Sequence, residues 1–461
     1  MRKGGDSTAS EMSTRDTRSS GRHRAGWRQD KLENILPLKY GKARSAQFGY
    51  PRPGTPTFGS NGSFGSYERA LTTKPSIIVG RKGAAGAVHY SPDPCWPIDT
   101  AYYTEGSDGA HLPFFRYLLE SLQLVRLDRS TAIPSLSRDD YNGRVIHFPV
   151  SVEEQRRVVA EIEKQLTRLD AGVAALRRVQ ANLTRYRASA LTAACEGRLV
   201  PTEAELAKMG GRKAKFETGG ELLARILNDR RKQWSGRGNY KEPPAPEPPA
   251  DVDLPAGWVW TGFEQLAAGT KHAIKAGPFG SSLKKSYYTQ NGFKIYGQEQ
   301  VIKGDPAFGD YFIPRGLFER LESCAVKSGD LLISLVGTSG KVLILPDDCA
   351  PGIINPRLVK MSLNRSGINP KFIKIVLESA TARAFFKLAA HGGTMEILNL
   401  GMLKSFAIPL PPLAEQTRIV AEVDRRLSVV EELETVVSAN LQRAARLRQS
   451  ILQKALSGQL L

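Results

Sequence analysis

The side chains best suited to chemistry in this chain are cations and amides set beside glycine. In the first third they are Lys42, Arg44, Asn61, Arg81 and Lys82; further on they are Lys284, Lys285, Thr338, Ser339, Lys341 and Arg357. Arg and Lys can bond guanine O6 and N7, Asn can bond adenine through two hydrogen bonds, and Lys or a hydroxyl holds phosphate. Gly-rich loops carrying such groups suit contact with double-stranded DNA. Taken singly, each residue is also consistent with a solvated surface side chain, and glycines serve turns before they serve ligands.

The charge balance agrees with a polyanionic partner. The 461 residues carry a net charge of +19, with pI near 9.7, which points to nucleic acid first and an anionic membrane face second. Catalytic patterns are lacking. In GTSGK at Gly337, Lys341 is followed by Val342 rather than Ser or Thr, so a phosphate loop is excluded. FGSNGSFGS at Phe58 is not a strand-to-helix GxGxxG, and NPR at Asn355 is not the Asn/Asp-Pro-Pro-aromatic signature of adenine methyltransferases. Six scattered histidines form no catalytic set, and Cys95, Cys195, Cys324 and Cys349 lie far apart without metal-ligand spacing. No catalytic residue, metal site or resident cofactor is expected. With no apolar run near 18 residues and no apolar signal core, a soluble cytoplasmic protein is expected.

The elements that must position these loops include two long helical stretches. Glu153–Val200 and Ala414–Leu461 align without a gap at an offset of about 261 residues, sharing Glu154/Glu415, Gln155/Gln416, Arg187/Arg448 and Leu191/Leu452 among others. A match at that distance implies a duplicated unit. Apolar positions recur every 3.5 residues. In the first copy the seam contains Ile162, Leu166, Leu169, Val173, Leu176 and Leu183; in the second, Val423, Leu427, Val430, Val437, Leu441 and Ile451. Gln180, Arg187, Glu434 and Arg448 fall on seam positions, where polar groups fix register and partner. The same spacing also fits two ordinary amphipathic helices in separate cores.

The chain then divides in order. Residues 1–26 are polar and poor in aromatics, a disordered N-terminal tail. Residues 27–151 carry short β-branched runs cut by Gly and Pro, then a helical pattern, giving a mixed α/β domain; 152–200 is the first long helix. Residues 201–257 hold a shorter helix and the Pro-rich stretch YKEPPAPEPPADVDLP, expected to keep its flanks apart. Residues 258–411 repeat the first domain more loosely, with LLISLVGTSGKVLIL matching SIIVGRKGAAGAVHY and NPKFIKIVLESA matching LPFFRYLLESL; 412–461 is the second long helix.

With PLPPLAEQTRIVAEVD at Pro409, FPVSVEEQRRVVAEIE at Phe148, LPAGWVW at Leu254, AGPFGSSLKKSYY at Ala276 and the YKEPPAP linker, residues 27–461 resemble the specificity subunit of type I restriction–modification systems. The resemblance implies an α+β fold. Two target recognition domains would alternate with two conserved long helices that form an antiparallel coiled coil, in a pseudo-twofold internal repeat. It implies a non-catalytic subunit that reads a bipartite, asymmetric DNA target. Partners would be double-stranded DNA, methyltransferase (M) subunits, two in number, and restriction/translocase (R) subunits, which would use S-adenosylmethionine, ATP and Mg. No membrane is involved. The helices would form a rod of about 65–70 Å at 1.5 Å per residue, with Gln180 and Glu434 in contact near its centre if Leu176 faces Val437. The alternative is a stand-alone architectural coiled-coil protein that binds DNA without enzyme partners.

Overall fold

The computed structural model describes all residues except 1–25, 44–53, 129–132, 210–214, 236–237, 251, 280, 337–339, 390–397 and 460–461. The expected tail therefore lies outside the described residues, apart from Gly26. Its contacts divide the chain into two units, residues 1–176 with 439–461, and residues 177–438. Each unit holds one half of each long helix.

In the first unit the strands are β1 (Trp27–Lys31), β2 (Lys39–Tyr40), β3 (Thr55–Gly59), β4 (Gly62–Tyr67), β5 (Ser76–Gly80), β6 (Val88–Ser91), β7 (Trp96–Pro97), β8 (Ala101–Thr104) and β9 (Val145–Pro149). They pair as β1-β9, β2-β8-β5-β6 and β4-β3-β7. The second unit contains β10 (Val259–Gly262), β11 (Ile274–Ala276), β12 (Phe293–Tyr296), β13 (Phe312–Ile313), β14 (Leu331–Ser334), β15 (Val342–Ile344), β16 (Gly352–Ile354), β17 (Leu358–Met361) and β18 (Ala407–Leu410). Here the pairing is β10-β18, β11-β17-β14-β15 and β13-β12-β16. Strand for strand, the order is the same. Even the mixed sheet repeats, with β3-β7 and β12-β16 parallel and β3-β4 and β12-β13 antiparallel.

The central strands β5 and β14, SIIVG and LLIS, are buried along their whole length, as strands covered on both faces require. Each four-stranded sheet is backed by a helix that opens with Pro in its first turn, Leu112–Ser121 and Pro370–Leu377, where the missing N–H costs nothing. Phe114, Phe115, Leu118 and Leu119 of the first helix pack with Ile77 and Val79. Phe372, Ile373 and Val376 of the second pack with Leu331 and Ile333.

The long helices span Val152–Cys195 and Leu413–Leu456, 44 residues each. They close the two cores. Val158, Ile162 and Leu166 join Ile451, Leu452 and Ala455 in the first unit; Leu191 and Ala194 join Ile419, Val420 and Val423 in the second. The 3.5-residue seam is visible in burial: Leu183, Val430 and Val437 are buried, and Leu169, Val173, Leu176, Leu427 and Leu441 half-buried. The pairing is antiparallel. Arg187 meets Glu434 at 3.4 Å and Glu431 at 3.6 Å in the second unit, and Arg448 meets Asp170 at 3.1 Å and Glu120 at 3.3 Å in the first. The pairs Arg187–Glu431 and Asp170–Arg448 are repeat images of each other.

That register corrects one expectation. Glu434 engages Arg187, one heptad beyond Gln180, and Gln180 is exposed. A guanidinium can serve two carboxylates at once, whereas a neutral amide gains little from them. The Pro-rich segment also differs from the expected free spacer: Pro243 is buried, and a Cβ on Gly262 would lie 3.4 Å from the Pro244 carbonyl oxygen.

Candidate nucleic-acid interface

In the first unit, one surface gathers the described candidates. The hairpin turn between β5 and β6 is drawn tight: a Cβ on Gly80 would lie 2.0 Å from the Ala84 carbonyl oxygen and 3.1 Å from that of Ser60, the residue before Asn61. Asn61 is exposed at the β3–β4 turn, and the His89 ring nitrogen Nε2 lies 3.1 Å from the Ser60 carbonyl. Arg81 Nε donates to the Asp99 carbonyl at 2.9 Å, and Lys42 N–H donates to the Pro97 carbonyl at 3.0 Å. Arg81, Lys82 and Lys42 thus meet the loop joining β7 to β8, and Asn61 sits on the β3–β4 turn that abuts Gly80. Arg44 lies outside the described residues.

Two residues escaped the sequence reading here. Tyr40 is half exposed, with the Arg81 and Arg138 guanidinium carbons 5.6 and 5.4 Å from its ring centre. Its edge meets Tyr102 at 5.1 Å. Burial, followed by the neighbouring Tyr40, pushes the Tyr102 hydroxyl up to about 12, so it stays a donor and bonds the Leu136 carbonyl at 3.2 Å. Cations over an aromatic face gain order at modest cost, and the result is a preset cationic surface. Nothing in the spacing of Tyr40 and Arg138 announces it.

The second unit uses equivalent strands with different side chains. Gly277 follows β11 as Gly41 follows β2. A Cβ would strike the Asn355 carbonyl oxygen at 1.8 Å in the one case and that of Ile98 at 2.0 Å in the other. Only glycine fits either place. Arg357 is exposed; its N–H donates to Asn355 Oδ1 at 2.9 Å, and its Nη1 lies 3.5 Å from Gln298 Oε1. Gln298 in turn donates to Ser334 Oγ at 2.9 Å and to the Val336 carbonyl. Gln298 was overlooked, although the rule that selected Asn61, an amide beside Gly after a strand, also describes Gly297–Gln298.

The remaining second-domain residues do not all join that cluster. Lys284 and Lys285 stand exposed on the loop after β11. Lys341 lines a separate groove of about 660 Å³ with Lys303, Lys374, Arg383 and residues of both long helices. Thr338 and Ser339 lie outside the described residues. Among the described residues no group of three or more His, Cys, Asp or Glu could hold a metal ion, and no helix is long and apolar enough to cross a membrane.

Each surface is tied to a long helix by the Glu-Gln pair that marks the helix start in both repeats. Gln155 donates to the Pro149 carbonyl at 2.8 Å and accepts from His111 N–H at 3.1 Å; Gln416 donates to Pro411 at 3.0 Å and accepts from Asn369 N–H at 2.9 Å. The glutamates accept from tryptophan. Trp27 Nε1 donates to Glu154 at 3.2 Å, and Trp258 Nε1 to Glu415 at 2.9 Å. Glu415 is fully buried and also accepts Glu203 N–H at 3.0 Å. Burial outweighs these hydrogen bonds and raises its carboxyl above the usual range.

With this geometry in place, similarity to known proteins is informative. Residues 279–440 match the family described as type I restriction modification DNA specificity domain. The type I restriction enzyme EcoBI specificity subunit of Escherichia coli is 31% identical over 135 residues, 29% of this chain and 28% of that protein. The EcoAI specificity subunit of Escherichia coli is 20% identical over 351 residues, 74% of this chain and 56% of that protein. The matches thus span between about a quarter and just over half of those relatives. A solved chain described under complex assembly and conformational transition of the type I R-M system covers 94% of this chain and 98% of its own length, at 18% identity and a TM-score of 0.56, which shows a shared fold. The stand-alone architectural reading finds no support in these similarities. Residues 279–440 thus carry a match to the type I restriction modification DNA specificity domain, and the relatives named here are type I restriction enzyme specificity subunits.

Proposed function

We propose that this chain is the DNA-reading, non-catalytic subunit of a type I restriction–modification complex. It reads a bipartite, asymmetric duplex target, one recognition domain per half-site. The observation that carries this is the repeated strand order combined with unlike side chains: Asn61 follows β3 where Gln298 follows β12, while Arg81 and Lys82 follow β5 in one domain and Arg357 precedes β17 in the other. Equal frames with unequal side chains would approach DNA in the same way and bond different base edges.

The chain also scaffolds methyltransferase and restriction subunits. Val179 and Tyr186 of the first long helix and Val429 and Leu433 of the second are exposed by two-fifths or more. Apolar side chains outside the seam suit helices from a methyltransferase subunit. Base methylation, translocation and cleavage, with S-adenosylmethionine, ATP and Mg, fall to those partners, in the cytoplasm. Methylation sequencing of a host expressing the system is the test: a two-part methylated motif that disappears when this gene alone is deleted is expected, and methylation independent of the gene would overturn the proposal.

A further inference from the structure

Phe279 is 88% exposed, more than any other large apolar side chain among the described residues. The loop that carries it is tied down on both sides. Gly277 donates its N–H to the Leu358 carbonyl at 2.9 Å and is pressed against Asn355. Ser282 N–H closes back on the Phe279 carbonyl at 2.8 Å, and Leu283 is buried with Ile295, Tyr296 and Ile353. Leaving a phenylalanine side chain in water forgoes a burial worth about 1.5–3 kcal/mol. A loop anchored at residues 277 and 283 that still holds its ring outward is built to place that ring in something else.

The surroundings identify the chemistry of the occupant. Lys284 and Lys285 are exposed just beyond the anchor, and Gly277 abuts Asn355, two residues before the exposed Arg357. Exposed cations thus flank both anchors of this loop. The centre of a protein–protein contact is depleted of charge, whereas a duplex presents apolar base faces flanked by phosphates. Stacking on bases is open to any aromatic ring, and phenylalanine is among the side chains that enter base steps as wedges.

We propose that Phe279 inserts between two base pairs of the half-site read by the second domain, unstacking that step while Lys284 and Lys285 hold the adjoining phosphates. This rests on the DNA-reading function above. The wedge would add discrimination at a step where no hydrogen bond is made, because pyrimidine–purine steps open more readily than others.

The test uses the full chain co-expressed with its methyltransferase partner, and duplexes bearing the motif found by methylation sequencing. 2-Aminopurine, which brightens when unstacked, is placed at each position of the second half-site in turn. On binding, fluorescence is expected to rise at one step in the wild type and to stay low there in F279A. Affinity should fall about tenfold or more in F279A, with F279W retaining both signal and affinity and thermal unfolding unchanged in each. A rise that persists in F279A, or specific binding with no rise anywhere, overturns the wedge and leaves the half-site function standing. Failure of the wild-type complex to prefer its motif over a scrambled duplex overturns both.

Discussion

The two recognition domains have the same nine-strand plan and are fastened to their helices by the same Trp, Glu and Gln, yet the fastenings differ in depth. Trp258 and Glu415 are buried, and Glu415 accepts a second N–H, from Glu203. Trp27 and Glu154 are only half-buried and joined by a longer bond of 3.2 Å. The frame is thus held constant while both the fastening and the contact loops vary. Duplicated architecture sets where a domain can present side chains; on the proposed function, the side chains set what it reads.

The strongest attack on this comparison is exchange of a whole domain. Replacing residues 27–151 with those of a relative should change one half of the methylated motif completely and leave the other half and the spacer intact, as read by methylation sequencing. Change in both halves would break the independence of the domains. Next in size are the fastenings. Trp258→Ala should cost about 3–5 kcal/mol, the usual range for a buried Trp, and Trp27→Ala distinctly less, by denaturant unfolding of the purified complex. Equal costs would mean that the difference in burial is energetically empty.

Smaller effects separate base readers from phosphate holders. Arg357→Ala should weaken binding by about 1–3 kcal/mol and relax preference at one base pair of one half-site. Lys82→Ala should weaken all sequences alike and flatten the salt dependence of binding by about 0.9 in log–log slope, as one released counterion requires. The smallest effect concerns Glu415. Its folded carboxyl titrates above its unfolded value, so its contribution to stability is fully present below the unfolded range, near 4.5, and is lost as pH rises through the raised folded value. Glu415→Gln, which cannot ionise, should therefore gain melting temperature relative to wild type as pH increases from 4 to 8. A constant difference would place the charge of Glu415 outside the stability of the clamp.

Much of this was legible in the residues themselves. Two unbroken 44-residue helices followed from 3.5-residue periodicity and a gapless duplication, because helix formation depends on neighbours three and four positions away. The strand–turn–strand matches SIIVGRKG and LLISLVGT correctly paired β5 with β14, since buried central strands need continuous apolar runs whatever their loops do. The helix register was not legible. Arg187 and Gln180 occupy the same seam position one heptad apart, and only the acids that arrive from the other helix distinguish them.

The sequence by itself determined the duplication, the helical seams, the basic character and the lack of catalytic motifs, all of which are properties of local composition and spacing. Tertiary structure alone decided that Asn61, Arg81, Lys82 and Lys42 share one surface, that Gln298 braces Arg357, that Lys341 faces a different groove, and that Trp27 and Trp258 bind the duplicated glutamates. Those assignments join residues tens to hundreds of positions apart. Bringing them together is the work of strand pairing and core closure, and no periodicity along the chain records which loops those processes place side by side.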